Sequence, residues 1–384
     1  MFDTTQKIGI LGGGQLGKML CLAAANWDLK TFILDTSPDY PAGSVCSGFT
    51  AGDFNRYEDV LAFGQDKDVL TIEIEHVNTR ALHELERAGK TVHPSPRALD
   101  IIKDKGLQKE FYRANDIPSA HFELFEDEKA LKKAIQSGRW QVPLVQKTRG
   151  AGYDGKGVTI LRTTQDLETK LLQGPCLAEV LAPILTEIAV IVARNAQDEV
   201  AVYPAVEMEF HPEANLVELL LCPARISPLI AARAEALAEK VIRHYDICGL
   251  LAVEMFLTVD GQLLVNEVAP RPHNSGHHTI DSAATSQYQQ HLRAICNLPM
   301  GSTEQTTPAV MLNLLGAPGH KGPVRYVGVE DCLALGGVYI HLYGKALTAP
   351  FRKMGHVTIT ADTLEEAVKK AAFVRGKLKV ECNL

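Results

Sequence analysis

Two glutamates and the short cationic loop after them have the most chemistry to offer. Asp260-Gly261 is a strong two-residue hairpin signal between the apolar runs 250–259 and 262–269. With that turn Val259 pairs with Gln262, and counting back sets Glu254 opposite Glu267. Their Cβ atoms would then stand about 5 Å apart on one face of the sheet. Two carboxylates between apolar strands repel and lose hydration. A hard cation relieves both, and Mg²⁺ takes one or two carboxylates plus waters and nucleotide phosphates. Asn266 offers a neutral oxygen beside the pair. The competing readings are a carboxyl pair sharing one proton, or a register slip that parts them. Pro270 and Pro272 break the second strand, and Arg271, His273, Asn274, Ser275, His277 and His278 crowd the loop that follows. Acids for a metal beside cations for an anion suggest a nucleotide-dependent enzyme.

A second constellation lies upstream. Gly150, Gly152, Gly155 and Gly157 frame Arg149, Tyr153, Asp154 and Lys156 between strands at 144–147 and 158–161. A P-loop needs Gly-Lys-Ser/Thr opening a helix. Here a strand follows, so the spacing predicts a β-loop that covers phosphates, with an ordinary flexible hairpin as the alternative. At the N-terminus a strand over 7–11 runs into Gly12, Gly14 and Gly17, then a helix over 18–26 and a strand ending at Asp35. This resembles the first half of a dinucleotide fold, with Asp35 where a ribose-binding acid would sit. The same glycines also fit any phosphate at a helix N-terminus, or a purely structural turn. Glu73, Glu75 and His76 end a strand over 69–75, where parallel sheets bind ligands. Solvated loop acids are the plainer reading. Lys345, Arg352 and Lys353 gather around one turn and make a candidate phosphate clamp, or else a solvated turn. Lys103 and Lys105 fall on the helix opened by Ser95-Pro96 and read as surface charge.

The elements that must position these residues change character along the chain. Strand and helix alternate up to Ile117-Pro118, giving a Rossmann-like domain over 1–117. Residues 118–307 read as a helix at 128–137 and an antiparallel meander with strands at 176–182, 187–194, 200–207 and 217–222. A helix over 230–245 precedes the acidic hairpin, and another over 282–295 follows its loop. This region divides into a glycine-loop part, 118–182, and the sheet with the acids, 183–307. Residues 308–384 form a small α/β cap with strands at 310–315, 338–343 and 355–360 and a helix at 363–373. The fold class is therefore α/β in three domains.

Composition narrows the function. A net charge of −7 over 384 residues argues against nucleic acid as a partner. No apolar run is long enough to span a bilayer, the best candidate being interrupted by Pro183, Thr186 and Glu187. The start of the chain lacks a secretory signal pattern, and the eight cysteines include no Cys-x-x-Cys pair. A cytoplasmic enzyme with reduced, structural thiols is expected.

Taken together, these pieces resemble the ATP-grasp superfamily, and within it the N5-carboxyaminoimidazole ribonucleotide synthases of de novo purine synthesis. The resemblance runs from Gly12 to His356 and is most specific at 152–157 and 266–277. It implies an ATP-grasp fold behind a Rossmann-like domain, binding ATP and one or two Mg²⁺ ions, with Mn²⁺ able to substitute. It places Lys103, Lys147, Tyr153, Asp154, Gly155, Lys156, Gly157, Glu179, Val180, Glu187, His211, Asn266 and Glu267 around ATP. Glu254 and Glu267 hold the metal, in agreement with the hairpin register. Bicarbonate and 5-aminoimidazole ribonucleotide are the implied co-substrates, joined through carboxyphosphate. Arg271, His273 and Asp154 are the implied catalytic residues. Gln15, Glu73, Glu75, Asp154, Arg271, His273, Asn274, Lys345, Arg352 and Lys353 would contact the ribonucleotide. A homodimer is the family expectation, and the chain leaves no room for a fused mutase domain. Ala151 departs from the family's usual glycine, which bears on loop motion rather than chemistry. Another ATP-grasp ligase, a nicotinamide-dependent oxidoreductase resting on Gly12 and Asp35, and a non-catalytic nucleotide binder are the rival readings.

Overall fold

The computed structural model describes residues 3–150, 157–211 and 216–382. Its first sheet is parallel: β1 (Lys7–Leu11), β2 (Lys30–Asp35), β3 (Gly48–Ala51), β4 (Val69–Ile72) and β5 (Thr91–Val92), in the order β3-β2-β1-β4-β5. Apolar packing covers both faces, so β4 is buried at every residue. The strand order switches direction at β1, beside the glycine turn.

The helix expected to carry both Lys103 and Lys105 is two helices. Ser95 caps the first, Pro96–Lys103. Asp104 then turns extended, accepts the Gly106 and Leu107 amides, and starts Lys105–Ala114. That single break sends the two lysines to different places.

A four-stranded antiparallel sheet comes next, with β6 (Phe122–Phe125), β7 (Leu144–Thr148), β8 (Val158–Leu161) and β9 (Cys176–Val180) in the order β6-β9-β7-β8. Helix Glu128–Gln136 packs Leu131, Ala134 and Ile135 on it. This small lobe faces a nine-stranded sheet. The large sheet takes β10 (Ile184–Arg194), β11 (Val200–Val202), β12 (Val206–Phe210), β13 (Val217–Cys222), β14 (Gly249–Thr258), β15 (Leu263–Ala269) and β16 (Ala309–Leu315). Beyond β17 (Gly322–Val327) it continues with β18 (Val338–Leu342) and, after β19 (Leu347–Thr348), with β20 (Lys353–Thr360). Its order is β15-β14-β10-β12-β13-β16-β20-β18, with β11 on β10. β21 (Lys379–Cys382) joins β17 and β19 in a separate small sheet.

Four further expectations are corrected. The strand anticipated over 69–75 ends at Ile72, so Glu73, Glu75 and His76 lie in the segment beyond it. The strand anticipated over 200–207 is broken into β11 and β12, with Pro204, which has no N–H to give a ladder, between them. The helix anticipated over 282–295 is a short Thr279–Ser282 helix, an extended Ala283, and a second helix Gln287–Ile295 with a Ser286/Gln289 capping box. The cap's three anticipated strands, β16, β18 and β20, extend the sheet of the preceding region rather than forming one of their own.

β10 is the spine of that sheet. Residues 188–193 are all buried because both faces are covered. Ile188, Val190 and Val192 pack against Ala234, Ala238 and Val241 of helix Pro228–Tyr245, and helix Gln287–Ile295 lies on the other side. Small alanines let that first helix approach closely.

Candidate active site

The acidic hairpin reaches the expected pairing by an unexpected route. Thr258 N–H donates to Gln262 O at 3.0 Å and Gly261 N–H to Thr258 O at 2.9 Å, so the loop has three residues, with Gly261 at φ 79°. Val259 therefore does not pair with Gln262, and near the turn Leu257 opposes Leu263. A bulge between Glu254 and Met255 of β14, where Asn266 is the extra residue on β15, restores the count, and Glu254 opposes Glu267. Two errors of one residue cancel. The bulge also lets neighbours Asn266 and Glu267 both meet cations.

Those cations come from two elements. Lys105 Nζ lies 2.8 Å from Glu267 Oε2. Lys147, on β7, lies 2.9 Å from Asn266 Oδ1 and 2.7 Å from Glu179 Oε2, and Lys109 lies 2.6 Å from the other Glu179 oxygen. Burial alone would raise Glu179, but Lys147 and Lys109 hold its carboxyl down at about 2. Burial brings Lys109 down to about 8 against the pull of Glu179. Burial would raise Glu267 as well, yet Lys105 and Lys147 keep it below the ordinary carboxylate value. Glu254 goes the other way, pushed up by burial and then by Glu267 and Glu187, with Lys353 and Lys105 opposing. Glu187 is raised to about 7, by burial first and the Glu267 charge second. One acid of the pair is thus charged and the other prefers its proton.

The loop after β15 closes the far side. His273 Nδ1 accepts the Ser275 amide, which leaves the proton on Nε2, and that nitrogen faces Glu254 Oε1 at 3.5 Å. Arg271 Nε stands 2.9 Å from Glu75 Oε1. Asn274 Nδ2 is buried and has no hydrogen-bond partner among the described residues. His277 and His278, only 2 % exposed, are not presented to the cleft. Burial drives both well below their usual value. The His277 ring lies 4.7 Å from that of His356, which stacks 4.5 Å from His341, so imidazoles brace the loop on β20 and β18.

The structure does not put every expected residue here. Lys103, expected at ATP, donates to Val77 O at 2.8 Å beside the first sheet, while Lys105, read from the sequence as surface charge, meets Glu267. Lys109 was not anticipated; its spacing of four from Lys105 along one helix was the available signal. Val180 is 48 % exposed at the end of β9. His211 packs on Phe351, with ring centroids 5.4 Å apart. Lys345 Nζ donates to Lys353 O at 2.8 Å and Arg352 Nη1 to Leu347 O at 2.8 Å, so the basic turn is one unit. Gln15 opens helix Gln15–Ala25 and is partly buried. Tyr153, Asp154, Gly155 and Lys156 lie outside the described residues; Gly157 O accepts the Thr148 amide.

The glycine turn is filled by the protein itself. Gly14 and Gly17 amides donate to the two Glu73 oxygens at 2.5 and 2.7 Å, and the Gly13 amide donates to Asp35 Oδ2 at 2.7 Å. A dinucleotide would need these amides for its pyrophosphate and Asp35 for its ribose. Both carboxylates are already engaged with the turn. A Cβ on Gly14 would fall 2.4 Å from Glu73 Oε1, so this glycine serves the internal carboxylate.

A paired acid at a bulge, met by Lys105 and His273 with Lys147 on the adjacent Asn266, suits Mg²⁺ with a nucleotide polyphosphate. Among the described residues no three histidine, cysteine or acidic side chains form a metal cage, so phosphates and water would complete the shell. A cavity of about 480 Å³, lined by Leu185, Arg225, Ile230 and Val259, holds none of these groups.

Comparison with known proteins matches three consecutive models: a ribonucleotide synthetase preATP-grasp domain over 5–103, an ATP-grasp domain over 110–288, and a phosphoribosylaminoimidazole carboxylase C-terminal domain over 309–370. The N5-carboxyaminoimidazole ribonucleotide synthase of Bacillus subtilis is 36% identical over 94% of this chain and 93% of its own length. This chain belongs to that family. The family's N5-carboxyaminoimidazole ribonucleotide synthetase from Thermotoga maritima superposes with a TM-score of 0.91 at 41% identity, covering 99% of this chain and 100% of that one. The synthase from Aspergillus clavatus, solved with ADP and 5-aminoimidazole ribonucleotide, gives 0.88 at 34% identity, covering 97% and 98%. Family membership removes the oxidoreductase reading, for which the filled glycine turn is the physical reason.

Proposed function

We propose that this chain carboxylates the exocyclic amine of 5-aminoimidazole ribonucleotide, using ATP and bicarbonate, to give N5-carboxyaminoimidazole ribonucleotide. The observation that carries the reading is the opposed Glu254/Glu267 pair, with Lys105 and His273 upon it and Lys147 on the adjacent Asn266, in a chain that belongs to this family. Lys105 and Lys147 exchange their carboxylate and amide partners for ATP phosphates as the nucleotide enters. Val180 borders the adenine and Glu187 the ribose. Glu254 and Glu267 would hold Mg²⁺, which would neutralise phosphate charge, and Mn²⁺ of similar ligand preference could substitute.

Bicarbonate oxygen attacks the γ-phosphorus, ADP leaves, and carboxyphosphate forms. Its breakdown yields CO₂ and phosphate, and the amine nitrogen bonds to the CO₂ carbon and loses one proton. Arg271, His273 and the Asn274 amide supply donors for these anions, where exclusion of water strengthens each bond. His273 Nε2, which faces Glu254 Oε1, is poised to donate. Lys345, Arg352 and Lys353 take the ribonucleotide phosphate, with Gln15 and Glu73 bordering its other end.

ADP release from MgATP and bicarbonate tests this, with and without the imidazole ribonucleotide. Stimulation by that acceptor, and by neither glycinamide ribonucleotide nor biotin, is expected. Activity with another acceptor alone would keep the nucleotide site and discard the acceptor.

A further inference from the structure

Residues 349–352 form a turn that their sequence should resist. Arg352 N–H donates to Ala349 O at 3.0 Å, and Pro350 fills the second position. Phe351, in the third, has φ 61°. Proline second with a positive φ third defines a type II turn, whose third position favours glycine or asparagine. A bulky residue there is strained, and such strain survives only where the surroundings impose it.

Here the surroundings do so three times. Phe351 N–H donates to Gly316 O at 2.8 Å, and Gly316 N–H donates to Arg352 O at 2.9 Å. Gly316 permits the approach, since a Cβ on it would fall 2.1 Å from Ala349 O. The third hold is the side chain. The Phe351 ring meets the His211 imidazole at 5.4 Å and 64°, and with Leu312, Leu314 and Val374 it lines a cavity of about 220 Å³. His211 sits just past β12, which pairs with β10 beside Glu187, so the turn is fastened to the sheet that bears the acids.

The strained residue leads directly into Arg352 and Lys353, whose backbone and side chains interlock with Lys345 and Leu347. We propose that Phe351 is a positioning residue for the ribonucleotide: its left-handed conformation, locked by the ring against His211, aims Arg352 and Lys353 at the 5′-phosphate. This rests on reading those cations as the phosphate clamp. Relaxing φ to a negative value would redirect the chain at the residue immediately before both of them.

The test is steady-state kinetics on the full chain, varying MgATP and 5-aminoimidazole ribonucleotide separately, for Phe351→Ala, Phe351→Gly and Lys353→Met. Alanine keeps the backbone strain and loses the ring; glycine loses both and adopts the turn freely. Phe351→Ala is expected to raise KM for the ribonucleotide about tenfold, and Phe351→Gly by less, with kcat and KM for MgATP within about twofold. Thermal midpoints of both variants that fall while KM for the ribonucleotide stays put would mean packing alone, and would overturn the proposal. Lys353→Met separates the two layers. If it leaves KM for the ribonucleotide unchanged, the clamp reading itself fails. If it raises that KM while both Phe351 variants are silent, only the positioning role fails.

Discussion

Lys105 and Lys103 stand two positions apart and meet different partners. Lys105 reaches Glu267, whereas Lys103 holds the Val77 carbonyl. Lys105→Met should lower kcat/KM for MgATP about 100-fold, and Lys103→Met by less than about threefold. Equal losses would return the ATP role to Lys103. A second residue-scale test uses Glu179. Its folded carboxyl titrates at about 2 against an ordinary 4.5, so it contributes stability above pH 4.5. That contribution disappears as pH falls from 4.5 through about 2. The melting temperature of Glu179→Gln should therefore depend less on pH across this window than that of the parent; parallel acid limbs would remove the linkage. The chain's cleft chemistry was legible where types and spacing speak for themselves, as at Glu254, Glu267, Arg271 and His273. Lys109 was not, because a lysine between Gln108 and Glu110 looks solvated until its helix is turned toward Glu179.

At the scale of elements, errors came from punctuation rather than from periodicity. Apolar runs marked the buried spans of β4, β10 and β14 because burial dictates them, though β4 stops at Ile72 rather than running on to Glu75. Asp104 was passed over as a helix stop although Asp at a cap accepts the following amides, and that oversight misplaced Lys105. Asp260-Gly261 suggested the shorter turn, and only a bulge, which no local pattern announces, recovered the register. The glycine turn makes the sharpest prediction here. Gly14→Ala would drive a methyl into Glu73, and it should destabilise the fold by about 2 kcal/mol, read from chemical denaturation. NADH should leave the parent protein's fluorescence unchanged, since the turn's amides are occupied; saturable binding would reopen the dinucleotide reading.

Across the whole molecule, domain-sized segments were visible in composition, yet the seam between the second and third was not a seam in the sheet. β13 pairs with β16, so the last region is knitted to the one before it. A chain truncated after Thr307 should expose β13 as an edge and aggregate, as light scattering would report. A monodisperse, folded product would show that the cap docks rather than completes.

That continuity also acts as a gauge. β14 and β20 are five strand spacings apart, roughly 24 Å on a flat sheet. Yet the loop that follows β15 reaches across it: the His277 ring lies 4.7 Å from that of His356 on β20. A bridge of fixed span acts as a measure. On the proposed reading of the cationic turn, the corresponding nucleoside, one phosphate shorter, should bind far more weakly than the ribonucleotide, and equal KM values for the two would remove that turn's role.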